Sequence, residues 1–153
     1  MQGKKLHKTF LDMIPVLSGL SHCVSKQVAA LIVKDGRIVS TGINGTASGY
    51  KNCDDIFNKK FFERKTHHEF SEKYEIHAEM NAILYAAKQG ISIDNATIYS
   101  NLMPCWNCIK HLSASGIKKI IYAKEYDLLS SDDIADIHKY CADLGIQIFK
   151  LQE

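Results

Sequence analysis

The sequence predicts a layered α/β domain, with helices covering both faces of one mixed five-stranded sheet. Helical and strand patterns alternate along the chain after an opening hairpin, and three of the helical segments stop at a glycine, Gly90, Gly116 and Gly145. With 153 residues, 46% hydrophobic and 24% charged, the chain can bury one sizeable core, so residues 1–153 read as a single domain.

A first helix is expected over residues 9–20, where Phe10, Met13, Ile14 and Leu17 recur at spacings of three and four and Pro15 works against continuity. Residues 28–33 form an almost unbroken apolar run. Residues 37–43 make a second strand, joined to it by the turn Lys34-Asp35-Gly36. From Asn44 to Tyr74 the composition turns polar and aromatic without a period, which reads as a long loop with a short helix over residues 56–62. Good helix formers then run from His77 to Gly90. A strand over 96–100, a helix closed by Gly116, a strand over 118–123, a helix over 131–144 and a strand over 146–150 complete the expected order.

Composition excludes several function classes. No apolar run approaches the roughly 18 residues needed to cross a bilayer, so no membrane partner is expected. The basic start MQGKKLHKTF leads into a segment with an aspartate, a proline and no small-residue cleavage pattern, so no secretory signal is expected either. The 19 basic and 17 acidic side chains give a net charge of +2 and are intermixed, which does not suggest a nucleic-acid-binding stripe. Five cysteines, an odd number without secretory context, point to metal ligation or catalysis before a disulfide framework. The expected location is the cytoplasm, the host's if the source is viral.

The chemistry concentrates in His77-Ala78-Glu79 and, later, Pro104-Cys105-Trp106-Asn107-Cys108. Both pieces sit where the chain enters a helix, so first-turn side chains can face a common centre under the positive potential of two helix N-termini. One imidazole and two thiolates fill three positions of a tetrahedral zinc site and leave the fourth for water, the catalytic arrangement. Zinc lowers the pKa of such a water toward about 7. Glu79, two residues from His77, can take its proton and deliver it to a substrate nitrogen and a leaving amine. The competing reading makes the cysteine pair a structural zinc knuckle and Glu79 a glutamate that satisfies the helix dipole. The joint spacing outweighs it.

This combination, H-x-E followed by P-C-x-x-C, is the signature of the zinc-dependent deaminases. Beyond it, the stretches CVSKQVAALIVKDGRIVSTGINGTASG, NCDD, EKYEIHAEMNAILYAAKQG, PCWNCIKHLSASGIKKIIYAKEYD and LGIQIF resemble bacteriophage-type and bacterial deoxycytidylate (dCMP) deaminases along nearly the whole chain. The resemblance implies a cytidine deaminase-like three-layer α/β/α sandwich around a five-stranded sheet, a hexameric homo-oligomer, and hydrolysis of dCMP to dUMP feeding thymidylate synthesis. It implies zinc on His77, Cys105 and Cys108, proton transfer by Glu79, and the pyrimidine carbonyl on the backbone of Ala78. Asn44 would bond the deoxyribose hydroxyl, Ser25 and Lys26 would lie in the phosphate-contacting loop, and Tyr126 would line the pocket.

The glycine-rich loop holding Gly42, Gly45 and Gly49 resembles the segment that, in regulated members, binds the activator dCTP and the inhibitor dTTP, with Mg2+ accompanying the triphosphates. Ile43 and Ala47 depart from that pattern, which has an aromatic and a proline there. Asn101 and Met103 likewise stand where small hydroxyl residues are usual. Cys23, Cys53 and His67 match a second, structural zinc site of phage-type relatives, with His22 and His68 as possible fourth ligands and buried free thiols as the alternative. Cys141 has no such partner and reads as core. Deamination of cytidine, dCTP or tRNA adenosine shares the signature, and a zinc-bearing nucleotide sensor without turnover is a reading of another class. Retention of Glu79 argues against the sensor.

Overall fold

The computed structural model describes residues 2–152. Its elements are α1 (Gln2–Ser18), β1 (Ala29–Lys34), β2 (Arg37–Ile43), β3 (Gly45–Thr46), α2 (Cys53–Ile56), α3 (Arg64–Tyr74), β4 (Glu75–Ile76), α4 (Ala78–Gln89), β5 (Thr97–Leu102), α5 (Trp106–Ala114), β6 (Lys119–Lys124), α6 (Ser131–Asp143) and β7 (Gln147–Lys150). The main sheet is ordered β2-β1-β5-β6-β7, and β3 with β4 makes a small second ladder. β1 runs antiparallel to β2 and β5, whereas β5, β6 and β7 are parallel and connected through α5 and α6. The sheet is therefore mixed, as expected, and has the expected five strands.

Alternation along the strands sorts their side chains into two cores. Ala30, Ile32, Ile98, Ile120 and Tyr122 face α4, α5 and α6, meeting Ala82, Ala86, Ile109, Leu112, Ile137 and Cys141. Ala29, Leu31, Val33, Tyr99 and Ile121 face the other way, onto Phe10, Leu11 and Ile14 of α1. One helix thus covers one face and three cover the other, giving three layers. Cys141 is buried in the larger core, as the sequence suggests.

Differences from expectation have local causes. α1 starts well before residue 9 and ends at Ser18, carrying Pro15 on its exposed side. Near a helix C-terminus the missing N–H costs one hydrogen bond, and packing of Phe10, Leu11 and Ile14 outweighs it. Leu11 replaces Met13 in the buried stripe. The hairpin turn is narrower than three residues, with Asp35 and Gly36 at φ 53° and 74°, a pair of left-handed residues suited to the strand twist. The largest departure is α3, an 11-residue helix in a stretch expected to be loop. Its face is marked by His67, Phe70 and Tyr74 instead of aliphatics, so no aliphatic period announced it.

Candidate active site

The N-termini of α4 and α5 converge at the C-terminal end of β5, the usual place for a site in a layered α/β sheet. His77 is the N-cap residue of α4 and Cys105 that of α5, both with extended backbone that turns their side chains toward the cleft. The His77 Nδ1 lies 3.5 Å from Cys105 Sγ and 3.4 Å from Cys108 Sγ. Tetrahedral zinc with bonds of about 2.3 Å to sulfur and about 2.0–2.1 Å to nitrogen separates those donors by about 3.6 Å. The residues fit a zinc ion with one position open, since among the described residues this cluster contains three donors.

The electrostatics agree. The hydrogen bond from Cys108 holds the Cys105 thiol down to about 4 against burial, with His77 adding to the effect. The same bond, burial and Glu79 push Cys108 the other way. His77 is drawn above its ordinary value chiefly by Cys105. A pair of thiols, one of them drawn downward, beside an imidazole is a donor set suited to a divalent cation. Glu79 sits beside them, 4% exposed, and burial raises its pKa. Its Oε2 accepts from Cys108 Sγ at 3.3 Å and its Oε1 from Ser100 Oγ at 3.0 Å.

A cleft of about 670 Å³ opens over this centre and is lined by Ser25, Lys26, Asn44, Ala78 and Tyr126 among others. Every residue expected to hold substrate therefore reaches one cavity. Lys26 stacks its ammonium over the Tyr126 ring at 4.5 Å and reaches Asp127 at 3.4 Å. Asn44 has a further duty. Its Oδ1 accepts from Ser21 Oγ and the Val28 amide, and its Nδ2 donates to the Lys26 carbonyl, so it clamps the segment carrying Ser25 and Lys26. One of its amide hydrogens remains for a ligand.

The second cluster contains Cys23, Cys53 and His67, as expected, but its fourth member is Glu75. Cys23 Sγ is 3.7 Å from His67 Nε2, and His67 Nε2 is 3.6 Å from Glu75 Oε1. Both Glu75 carboxylate oxygens are buried without a hydrogen-bond partner, a costly state that a metal ion would resolve. Burial raises both thiols, Cys53 to about 12, so ligation would displace their protons. The four residues fit a metal. His22 and His68 lie outside this cluster: they are exposed and pair with Asp54 at 2.8 Å and Glu72 at 3.3 Å. Nothing in the sequence singled out Glu75, because its inward direction depends on the β3–β4 ladder.

Gly42 lies in a strand and not in the loop that follows it. It is buried in β2, and a Cβ there would lie 2.1 Å from the Ala78 carbonyl oxygen and 2.6 Å from the Ala82 nitrogen. The backbone of α4 packs directly against it. Gly45 and Gly49 lie beyond it, Gly49 exposed at φ 90°. Arg64 and Lys65 at the start of α3 also line the cleft, and no apolar period in the sequence marks the helix that carries them.

Residues 4–124 match the family described as the cytidine and deoxycytidylate deaminase zinc-binding region. The chain belongs to that family. A deoxycytidylate deaminase of Enterobacteria phage T2 is 40% identical over 150 residues, covering 78% of this chain and 80% of the relative, and that of phage T4 is 40% identical over 78% of each. The dCMP deaminase of cyanophage S-TIM5, solved in complex with dCMP and dUMP, has a TM-score of 0.74 at 28% identity over 95% of this chain and 96% of that one. A family of zinc-binding deaminases accounts for the donor set at His77, Cys105 and Cys108 and for the cytidine deaminase-like sheet. No described helix is long and apolar enough to cross a membrane.

Proposed function

We propose that this protein hydrolyses dCMP to dUMP and ammonia, supplying dUMP for dTTP synthesis, with zinc on His77, Cys105 and Cys108. The observation that carries the reading is the meeting of these three donors with a buried carboxyl, Glu79, at the floor of a nucleotide-sized cleft. Zinc, when bound, supplies an acidified water for attack at C4 of the ring. Glu79 moves the protons. Its carboxylate takes one from the water and places it on N3, then passes the second to the departing amine, so the two water hydrogens end on N3 and in ammonia. Burial keeps the carboxyl in a water-poor setting and brings its pKa upward, toward the range a proton carrier needs.

The Ala78 amide, in the first turn of α4, lacks an intrahelical acceptor, which supports its donating to the pyrimidine carbonyl. Asn44 offers its remaining amide hydrogen to the deoxyribose hydroxyl. Ser25 and Lys26 receive the phosphate, and Tyr126, whose ring lies against the Lys26 ammonium, lines the pocket beside them. The Cys23, Cys53, His67 and Glu75 cluster holds a second, structural zinc. It braces the polar segment that leads to His77, which has little apolar area with which to order itself.

The reading extends to control by dCTP and dTTP through the loop with Gly45 and Gly49. Gly45 pairs with Ile76, the residue before His77, so ordering of this loop bears on the active centre. Any Mg2+ would arrive with a triphosphate, because both described clusters contain thiols, poor partners for a hard cation. The single domain assembles as a homo-oligomer, a hexamer, in the cytoplasm, with exposed Val16, Leu20 and Leu84 as apolar surface for subunits to cover. Ammonia release from dCMP, dCTP, cytidine and adenosine-containing tRNA, measured side by side, tests the reaction. Turnover of any of the others in preference to dCMP would overturn the substrate.

A further inference from the structure

We infer that Ser100 is a positioning residue for Glu79: its hydroxyl fixes the carboxyl in the orientation that serves both proton transfers. Ser100 lies in β5 and is fully buried, as is its partner apart from 4% of its surface. The Ser100 Oγ donates to Glu79 Oε1 at 3.0 Å. On the other oxygen, Oε2, the donor is the Cys108 thiol at 3.3 Å. A cysteine that ligates zinc does so as a thiolate and has no proton to give. With metal in place, the Cys108 contact therefore ceases to be a donor and the Ser100 hydroxyl remains.

The scaffold behind Ser100 is rigid. Its strand pairs with β1 through Ala30 on one side and with β6 through Tyr122 on the other, both residues buried. A hydroxyl on a doubly paired central strand has little freedom, and χ1 is its main adjustable torsion. Glu79, by contrast, has three side-chain torsions from a helix first turn and must swing a proton between two acceptors on the substrate. A fixed donor on Oε1 holds the planar carboxyl so that Oε2, the proton-carrying atom, faces the cluster of His77 and the cysteines. The expected cost of losing such orientation is a fraction of the 10²–10⁴-fold that a general acid–base group commonly contributes, roughly tenfold in kcat. Ground-state contacts to the nucleotide do not pass through Ser100, so KM should stay where it was.

This inference rests on the proposed deamination and is tested with the zinc-loaded enzyme in two independent ways. In steady-state kinetics, Ser100→Ala should lower kcat for dCMP about tenfold, with KM and zinc content at wild-type values, and Ser100→Thr should restore most of the rate because it keeps the hydroxyl on a strand that favours β-branching. A kcat for Ser100→Ala within about twofold of wild type would overturn the inference, as would equal losses in the alanine and threonine variants at full zinc content. The second readout needs no substrate. The infrared carboxyl band assigned to Glu79 by its disappearance in Glu79→Gln should shift in Ser100→Ala and return in Ser100→Thr. A band unmoved in Ser100→Ala would overturn the pairing. Wild-type inactivity on dCMP, together with a shifted band, would count against the proposed reaction and uphold the pairing.

Discussion

Gly42→Ala should damage catalysis through the backbone alone, without touching a ligand or a proton carrier. The added Cβ would stand 2.1 Å from the Ala78 oxygen, 2.6 Å from the Ala82 nitrogen and 3.2 Å from the Ala78 carbonyl carbon, all main-chain atoms that cannot rotate aside. Restoring ordinary contact requires β2 and the first turn of α4 to separate by roughly 1 Å, a shift that carries His77, Ala78 and Glu79 with it. A misplacement of about 1 Å at reacting groups can cost roughly 10²-fold in rate. Overpacking of a buried contact costs about 1–3 kcal/mol, which for a domain of this size lowers Tm by about 2–12 °C. Steady-state ammonia release, metal analysis and a thermal melt on the purified variant measure the three consequences. Activity within about twofold of wild type and an unchanged melt would refute the reasoning, because the β2–α4 contact would then yield harmlessly.

Other outcomes follow from the same geometry. Glu79→Ala should lose at least 10²–10⁴-fold in kcat while retaining zinc, and near-normal turnover in that variant would remove Glu79 from proton transfer. Metal-replete wild type should carry two zinc ions per chain, whereas Cys53→Ser and Glu75→Ala should each carry one and melt roughly 10 °C or more lower; a single zinc in wild type would return Cys23 and Cys53 to free thiols. dCTP should lower, and dTTP raise, the dCMP concentration giving half-maximal rate, with both responses blunted in Gly49→Val, whose φ of 90° no β-branched residue accepts readily. Kinetics indifferent to both nucleotides would assign the Ile43 and Ala47 departures to an unregulated enzyme.

Much of the fold was legible because its signals are local. Each strand of the main sheet shows as a short run containing Val, Ile or Thr. Gly90, Gly116 and Gly145 do end their helical segments with positive φ, at 67°, 90° and 70°. The α3 segment was illegible for the opposite reason: it is held by aromatics and His67 packed around the Cys23 and Cys53 cluster, and it carries no aliphatic stripe of its own. Its stability belongs to that cluster and to its neighbours, which no window of residues contains.

The sequence by itself determined the donor chemistry and the spacing of the catalytic groups, because His77 with Glu79 and Cys105 with Cys108 are each neighbours along the chain, and a helix start gives each pair a known geometry. Only the tertiary structure decided what lies between distant segments. It made Glu75 the fourth member of the second cluster in place of His22 or His68, set Ser100 against the carboxyl of Glu79, and turned Gly42 from a loop residue into the contact where β2 meets α4. A side chain's direction and burial come from packing across strands and layers, and those contacts are absent from any local reading of the chain.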